Sequence, residues 1–225
     1  MVSDSKRILK PYSKDDHPLL PEPKYIRLIF KKVGDLQYIS HLDLQKTMGR
    51  VLIRAKIPLW YSKGFNPHPK LIFATPLSVG TQSVCELLDV RVERDIPPSV
   101  MMERLNAELT HELCILDAYE PTRDFTDIAW AEYDFEIKTS SASDNMAEQI
   151  KEIFSTSPCI VNKKTKSGYK DIDIVPLIKR IDARFDSESS IIKLHAILSA
   201  AQFQYLNPEL LIGVLKEKLG ILSLS

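Results

Sequence analysis

Residues 25–55 read YIRLIFKKVGDLQYISHLDLQKTMGRVLIRA, and the change of period inside them decides the fold class. Tyr25-Ile26-Arg27-Leu28-Ile29-Phe30-Lys31-Lys32 is rich in β-branched and aromatic residues and predicts a strand. Val33-Gly34-Asp35 predicts a turn, and Leu36–Ile39 a short extended piece. Ser40 then opens a helix, because its hydroxyl can accept from an orphan N–H of the first turn, while Asp43 favours the positive helix end. Leu42, Leu44, Met48, Val51, Leu52 and Ala55 supply an apolar stripe to about Ala55. Gly49 inside that helix costs about 1 kcal/mol relative to Ala, a cost that a close packing contact would explain.

Outward from this stretch, Leu59–Tyr61 predicts a short strand, Gly64–Pro69 a loop and Lys70–Ala74 a strand. A turn around Pro76–Gly80 leads to a strand over Cys85–Val92. Pro97-Pro98 starts a helix through Leu109, and Cys114–Tyr119 closes with a strand. The order β-α-β-β-β-α-β is an antiparallel sheet with two helices, ferredoxin-like with an inserted hairpin. Glu120–Asp127 is polar, contains Pro121 and reads as a linker. Beyond it the order repeats: strand Ala129–Lys138, helix Asp144–Phe154, strand Cys159–Lys163, a basic turn Lys164–Lys170 and an extended Asp171–Ile178. A strand over Ser190–Leu198 and a helix over Pro208–Leu219, with Asn207 as N-cap, complete it. The expected fold is α+β, two ferredoxin-like antiparallel sheet/helix halves, the first with an inserted hairpin. Residues 1–23, broken by Pro11, Pro18, Pro21 and Pro23, are expected to be a flexible N-terminal tail. Residues 24–121 form the first half and 122–225 the second, a duplication resting on element order alone.

Bulk composition excludes several classes. A hydrophobic content of 44 % and a charged content of 27 % suit a globular chain. No apolar run reaches the length of a membrane span, and Met1–Pro23 lacks the apolar centre of a secretory signal, so no membrane partner is expected. Cys85, Cys114 and Cys159 are odd in number and form no CxxC, which argues against a disulfide framework or metal knuckle. Cys85 and Cys114 read as core residues of a cytoplasmic protein. There is no P-loop, GxGxxG, HExxH or CxxxCxxC, so no cofactor is expected and an autonomous redox or NTP-driven enzyme is disfavoured.

The zero net charge is unevenly distributed. Residues 24–70 hold ten Lys or Arg against Asp35 and Asp43, leaving the remainder of the chain acidic. Such a stretch fits a surface that meets an anion, best a polyanion such as RNA, or a solvated basic face without a partner. Lys46, Arg50 and Arg54 are spaced four apart and share a helix face. They would track phosphates, or else cover apolar surface with their stems while their heads stay wet. Tyr61-Ser62-Lys63-Gly64-Phe65-Asn66-Pro67-His68-Pro69-Lys70 is a loop in which two prolines stiffen the backbone that carries Asn66, His68 and Lys70. Trp60, Tyr61 and Phe65 offer stacking faces for unpaired bases, or else belong to the core beside a strand.

Ser40, His41 and Asp43 invite comparison with a catalytic triad, but one helical turn points them in different directions, and capping explains Ser40 and Asp43 better. His41, Asp43 and His68 remain an alternative acid/base set. No metal is expected on them, since nothing completes a convincing four-ligand set. His195 lies in an apolar strand and reads as a core histidine.

Several stretches carry a family resemblance. Phe30–Asp43, Tyr61–Lys70, Pro76-Leu77-Ser78-Val79-Gly80 and Ser83–Val90 resemble the radical-SAM-linked proteins of domain family DUF2344, with fainter echoes at Ala131-Glu132-Tyr133 and Asp171–Ile178. Asn66, His68 and Val175 stand where that family's pattern commonly has other residues. The resemblance spans about residues 24–220. It implies association more than an activity: members occur alone or joined to radical-SAM proteins, near genes for RNA processing and ribosomal proteins. The expected function is therefore a non-catalytic RNA-binding accessory domain, holding tRNA, rRNA or another structured RNA for a radical-SAM or other modification or processing partner. Lys46, Arg50, Arg54, Lys63 and Lys70 would contact phosphate, and Phe65, Asn66 and His68 bases or the partner. The alternatives are an RNA-acting enzyme built on His41, Asp43 and His68, and a module that docks a radical-SAM enzyme through the same loop.

Overall fold

The computed structural model describes residues 17–155, 158–165, 168–202 and 204–220, with the side chains of residues 164 and 165 excepted. Chain contacts divide at Arg123, giving the units Met1–Arg123 and Asp124–Ser225.

In the first unit, alternation along two long strands builds the core. β1 (Leu19–Lys32) turns Ile26, Leu28 and Phe30 to one face. β3 (Ser83–Arg94) pairs with it antiparallel and contributes Leu88, Val90 and Val92. Against that face pack Leu44, Met48, Val51 and Leu52 of α1 (His41–Arg54) and Met101 and Leu105 of α2 (Pro98–Asn106). β2 (Leu71–Phe73) and β4 (Leu113–Tyr119) flank the pair, giving the antiparallel order β2-β3-β1-β4. This is the ferredoxin-like βαββαβ arrangement, helices on one face only.

Several expectations change here. β1 begins at Leu19, so Leu19–Pro23, expected in the tail, are strand. Leu19 pairs with Arg94, and the register shifts before Lys24, where Pro21 and Pro23 have no N–H to give the ladder. Residues 1–16 of the expected tail lie outside the described residues. Leu36–Ile39 is not extended; Gly34–Tyr38 forms a 3-10 turn. Gly34 starts it at φ +63°, where a Cβ would run into the Glu112 carboxylate. Leu42 is exposed rather than part of the apolar stripe. The inserted strand Leu59–Tyr61 shrinks to isolated bridges, Leu59 with Val92 and Tyr61 with Pro69. Pro67 and Pro69 lack the donors that would extend a ladder. Cys85 is exposed and Cys114 half-buried, while Cys159 is the buried one.

The second unit runs β5 (Trp130–Lys138), α3 (Asp144–Ser155), β6 (Ile160–Thr165), β7 (Gly168–Asp173), β8 (Ile178–Asp186), β9 (Ile191–Ser199) and α4 (Pro208–Leu219). β5, β9 and β8 form one antiparallel sheet in that order, and β6-β7 a separate two-stranded ribbon. Placed on the first unit, β8, β9 and β5 take the positions of β2, β3 and β1. The extra hairpin is thus β6-β7, inserted between α3 and β8. Most of the expected basic turn Lys164–Lys170 belongs to these two strands, with residues 166 and 167 outside the described ones. Ile192, Leu194, Ala196 and Leu198 of β9 face the core with Ile150, Phe154, Leu211 and Leu215. His195 points the other way, contrary to its reading as a core residue: Nδ1 lies 2.9 Å from Asp134 Oδ1 and Nε2 3.4 Å from Glu132 Oε1. No helix among the described residues is long and apolar enough to cross a membrane.

Candidate nucleic-acid interface

The opening turn of α1 is set locally. Ser40 Oγ accepts from Asp43 N (3.1 Å) and donates to Asp43 Oδ2 (2.7 Å). That hydrogen bond, with the charge of Lys46 behind it, holds the Asp43 carboxyl below its usual range. Lys46, Arg50 and Arg54 follow at four-residue spacing, all exposed. The row is partly neutralised by the chain's own acids. Lys46 Nζ lies 3.6 Å from Asp43 Oδ1. Arg54 Nε donates to Glu108 Oε2 at 2.9 Å, and its Nη2 to the Glu108 carbonyl at 3.3 Å. Arg50 has no carboxylate partner among the described residues.

The 61–70 loop keeps its cations. Lys63, Phe65, Asn66, His68 and Lys70 are all exposed, and neither lysine meets a carboxylate among the described residues. Phe65 is fully exposed, so it is no core residue, and Tyr61 is 41 % exposed. Short hydrogen bonds hold this shape: Ser62 N donates to His68 O at 2.9 Å, and His68 N to Ser62 Oγ at 3.2 Å. His68 Nδ1 lies 3.1 Å from Ser62 Oγ and 3.2 Å from the Asn66 carbonyl. A carbonyl only accepts, so the tautomer protonated at Nδ1 fits, and Nε2 carries the free lone pair of the neutral ring. The loop is thus a closed, proline-stiffened support that displays an aromatic ring flanked in sequence by two exposed lysines.

The alternative acid/base set does not converge. His41 sets its ring edge-on to Phe73, with centroids 5.1 Å apart. Asp43 is engaged by Ser40 and Lys46, and His68 within its own loop. Among the described residues no contact joins the three, and no group of three or more His, Cys, Asp or Glu could hold a metal ion.

Two features escaped the reading of the sequence. Lys32 and Glu86 are buried charges on the helix-side face of the sheet. Burial pushes the Lys32 amine down and the Glu86 carboxyl up, each drawn partly back by the other's charge. Lys32 Nζ donates to Thr81 O at 2.7 Å and so holds the loop that precedes β3. The second is Arg91. Its guanidinium carbon lies 4.4 Å from the Trp60 ring centroid and 5.6 Å from that of Tyr25, while Lys70 Nζ lies 5.9 Å from the same Tyr25 centroid. Tyr25 and Arg91 are register partners, and their neighbours Ile26, Val90 and Val92 are core. The cluster therefore occupies the sheet face turned away from α1 and α2. The alternation Leu88-Asp89-Val90-Arg91-Val92 could have shown that Arg91 leaves the core; its meeting with Lys70 needs the β2–β3 pairing.

No curated protein matches this sequence. A family model does: that for DUF2344, described as an uncharacterized protein conserved in bacteria, matches residues 25–208, most of both units. The chain belongs to the DUF2344 family.

Proposed function

We propose that this protein binds RNA through the 61–70 loop of its first unit and presents it to a modification or processing enzyme. The observation that carries the reading is Phe65, a fully exposed phenyl ring between Lys63 and Lys70 on a loop stiffened by two prolines. Displaying such a ring to water gains nothing for the fold, whereas a base can stack on it and ammonium groups can neutralise the adjoining phosphates. Arg50 adds a further cation on α1; Lys46 and Arg54 contribute less because carboxylates already hold them. Asn66 and His68 supply hydrogen-bonding groups beside the ring. The motif resemblance supports a radical-SAM protein as the working partner.

The test is fluorescence anisotropy of labelled RNA with the full chain from low to moderate salt. Affinity is expected to fall linearly on a double-logarithmic plot, with a slope of about −0.7 per neutralised phosphate of a single strand. Phe65→Ala is expected to weaken binding by about 1–3 kcal/mol, the worth of one stacked base. Absent or salt-insensitive binding refutes the proposal. If Phe65→Ala instead abolishes co-purification of a protein from nuclease-treated extract and RNA does not bind, the loop is a protein-docking module.

A further inference from the structure

We infer that Arg91 and Lys70 form a phosphate-binding site on the sheet face of the first unit opposite its helices, with Trp60 and Tyr25 holding the cations in place. The inference deepens the RNA-binding reading and rests on it for the source of the phosphate, though not for the site itself.

A guanidinium carries five N–H donors and no acceptor. Arg91 Nε is buried and has no hydrogen-bond partner among the described residues, and no described carboxylate pairs with the group. Aromatic faces can stabilise its charge, as Trp60 does at 4.4 Å, but they leave the donors in the guanidinium plane without acceptors. Lys70 is brought to the same Tyr25 ring, again without a carboxylate among the described residues. Two cations gathered on one ring repel each other unless an anion joins them. The acids nearby do not serve. Asp89, next on that face of β3, is taken by Arg27 in a two-point ion pair at 2.7 and 2.8 Å. Glu93, next in the other direction, makes no ion pair with either cation among the described residues. A phosphate supplies several acceptor oxygens to a guanidinium fork and charge to the ammonium. Continuity with the loop favours a polymer: Lys70 ends the loop, and the Tyr61–Pro69 bridge sets Tyr61 beside it.

The experiment uses the full chain carrying Trp130→Phe, which leaves Trp60 as its only tryptophan. Inorganic phosphate, uridine monophosphate and a ten-nucleotide oligouridine are titrated at constant ionic strength while Trp60 emission is followed. Oligouridine is expected to shift the emission saturably, and the two small phosphates to do so more weakly. Lys70→Gln, an exposed position, and Arg91→Gln should each lower the salt slope of oligouridine binding by about 0.7, and Arg91→Gln should remove the Trp60 response. Thermal melts of both variants check that they fold; if Arg91→Gln does not, Arg91→Lys, which keeps the charge but loses the guanidinium fork, takes its place and should weaken the Trp60 response. A Trp60 response to the small phosphates without any oligouridine binding would uphold the site and overturn the RNA reading. Oligouridine binding with an unchanged salt slope in Arg91→Gln would overturn the site and leave the loop reading standing.

Discussion

At the scale of single residues, the charges divide by whether a partner lies near in sequence. Ser40, Asp43 and Lys46 meet within one helical turn, and the cap is legible from their spacing. Arg54 meets Glu108, and Lys24 meets Asp95 and Glu120, only after the sheet forms. The basic stretch therefore looks more strongly charged in the sequence than on the molecule. Arg27 is the extreme case. Its Nε and Nη2 donate to both oxygens of Asp89, with the two side chains 7 and 11 % exposed, and the hydrogen bond to Asp89 raises the Arg27 pKa further. Asp89→Ala would leave the Arg27 charge buried without this carboxylate, so we expect a loss of about 3–5 kcal/mol in urea unfolding. A loss under about 1 kcal/mol would show that water reaches the guanidinium and that the pair behaves as a surface one.

At the scale of elements, the strongly periodic segments were legible and the mixed ones were not. α1, β1, β3, β9 and α4 follow from apolar spacing together with a cap or a proline. β8 was invisible because Ile178–Asp186 is dominated by charged side chains and turns only Ala183 fully inward. It is a strand because β9 offers it a ladder, a cause outside its own sequence. Gly49 is the other instructive case. A Cβ there would meet only Leu71 Cδ1 at 3.9 Å, an ordinary contact, so close packing does not explain this glycine. Gly49→Ala is expected to stabilise the protein by about 0.5–1 kcal/mol through lower chain entropy in the unfolded state. Chemical denaturation checks this, and a destabilised variant would mean that α1 has a close neighbour at that turn.

At the scale of the whole molecule, the two hydrophobic clusters have no residue in common; one lies in the first unit and the other in the second. Each sheet is closed by hydrogen bonds within its own unit. A fragment ending at Arg123 is therefore expected to melt cooperatively and to give a dispersed amide spectrum. A molten fragment would show that the first core depends on residues beyond Arg123. The α+β class and the helix-facing core of the first unit were set by the sequence itself, because period and capping act between residues close along the chain. The tertiary structure alone decided which cations keep an open charge, that the extra hairpin lies between α3 and β8, that His195 leaves the core, and that Arg91 joins Lys70 over Tyr25. These depend on strand register and on acids far away in sequence, and pairing between distant segments leaves no local periodic signal.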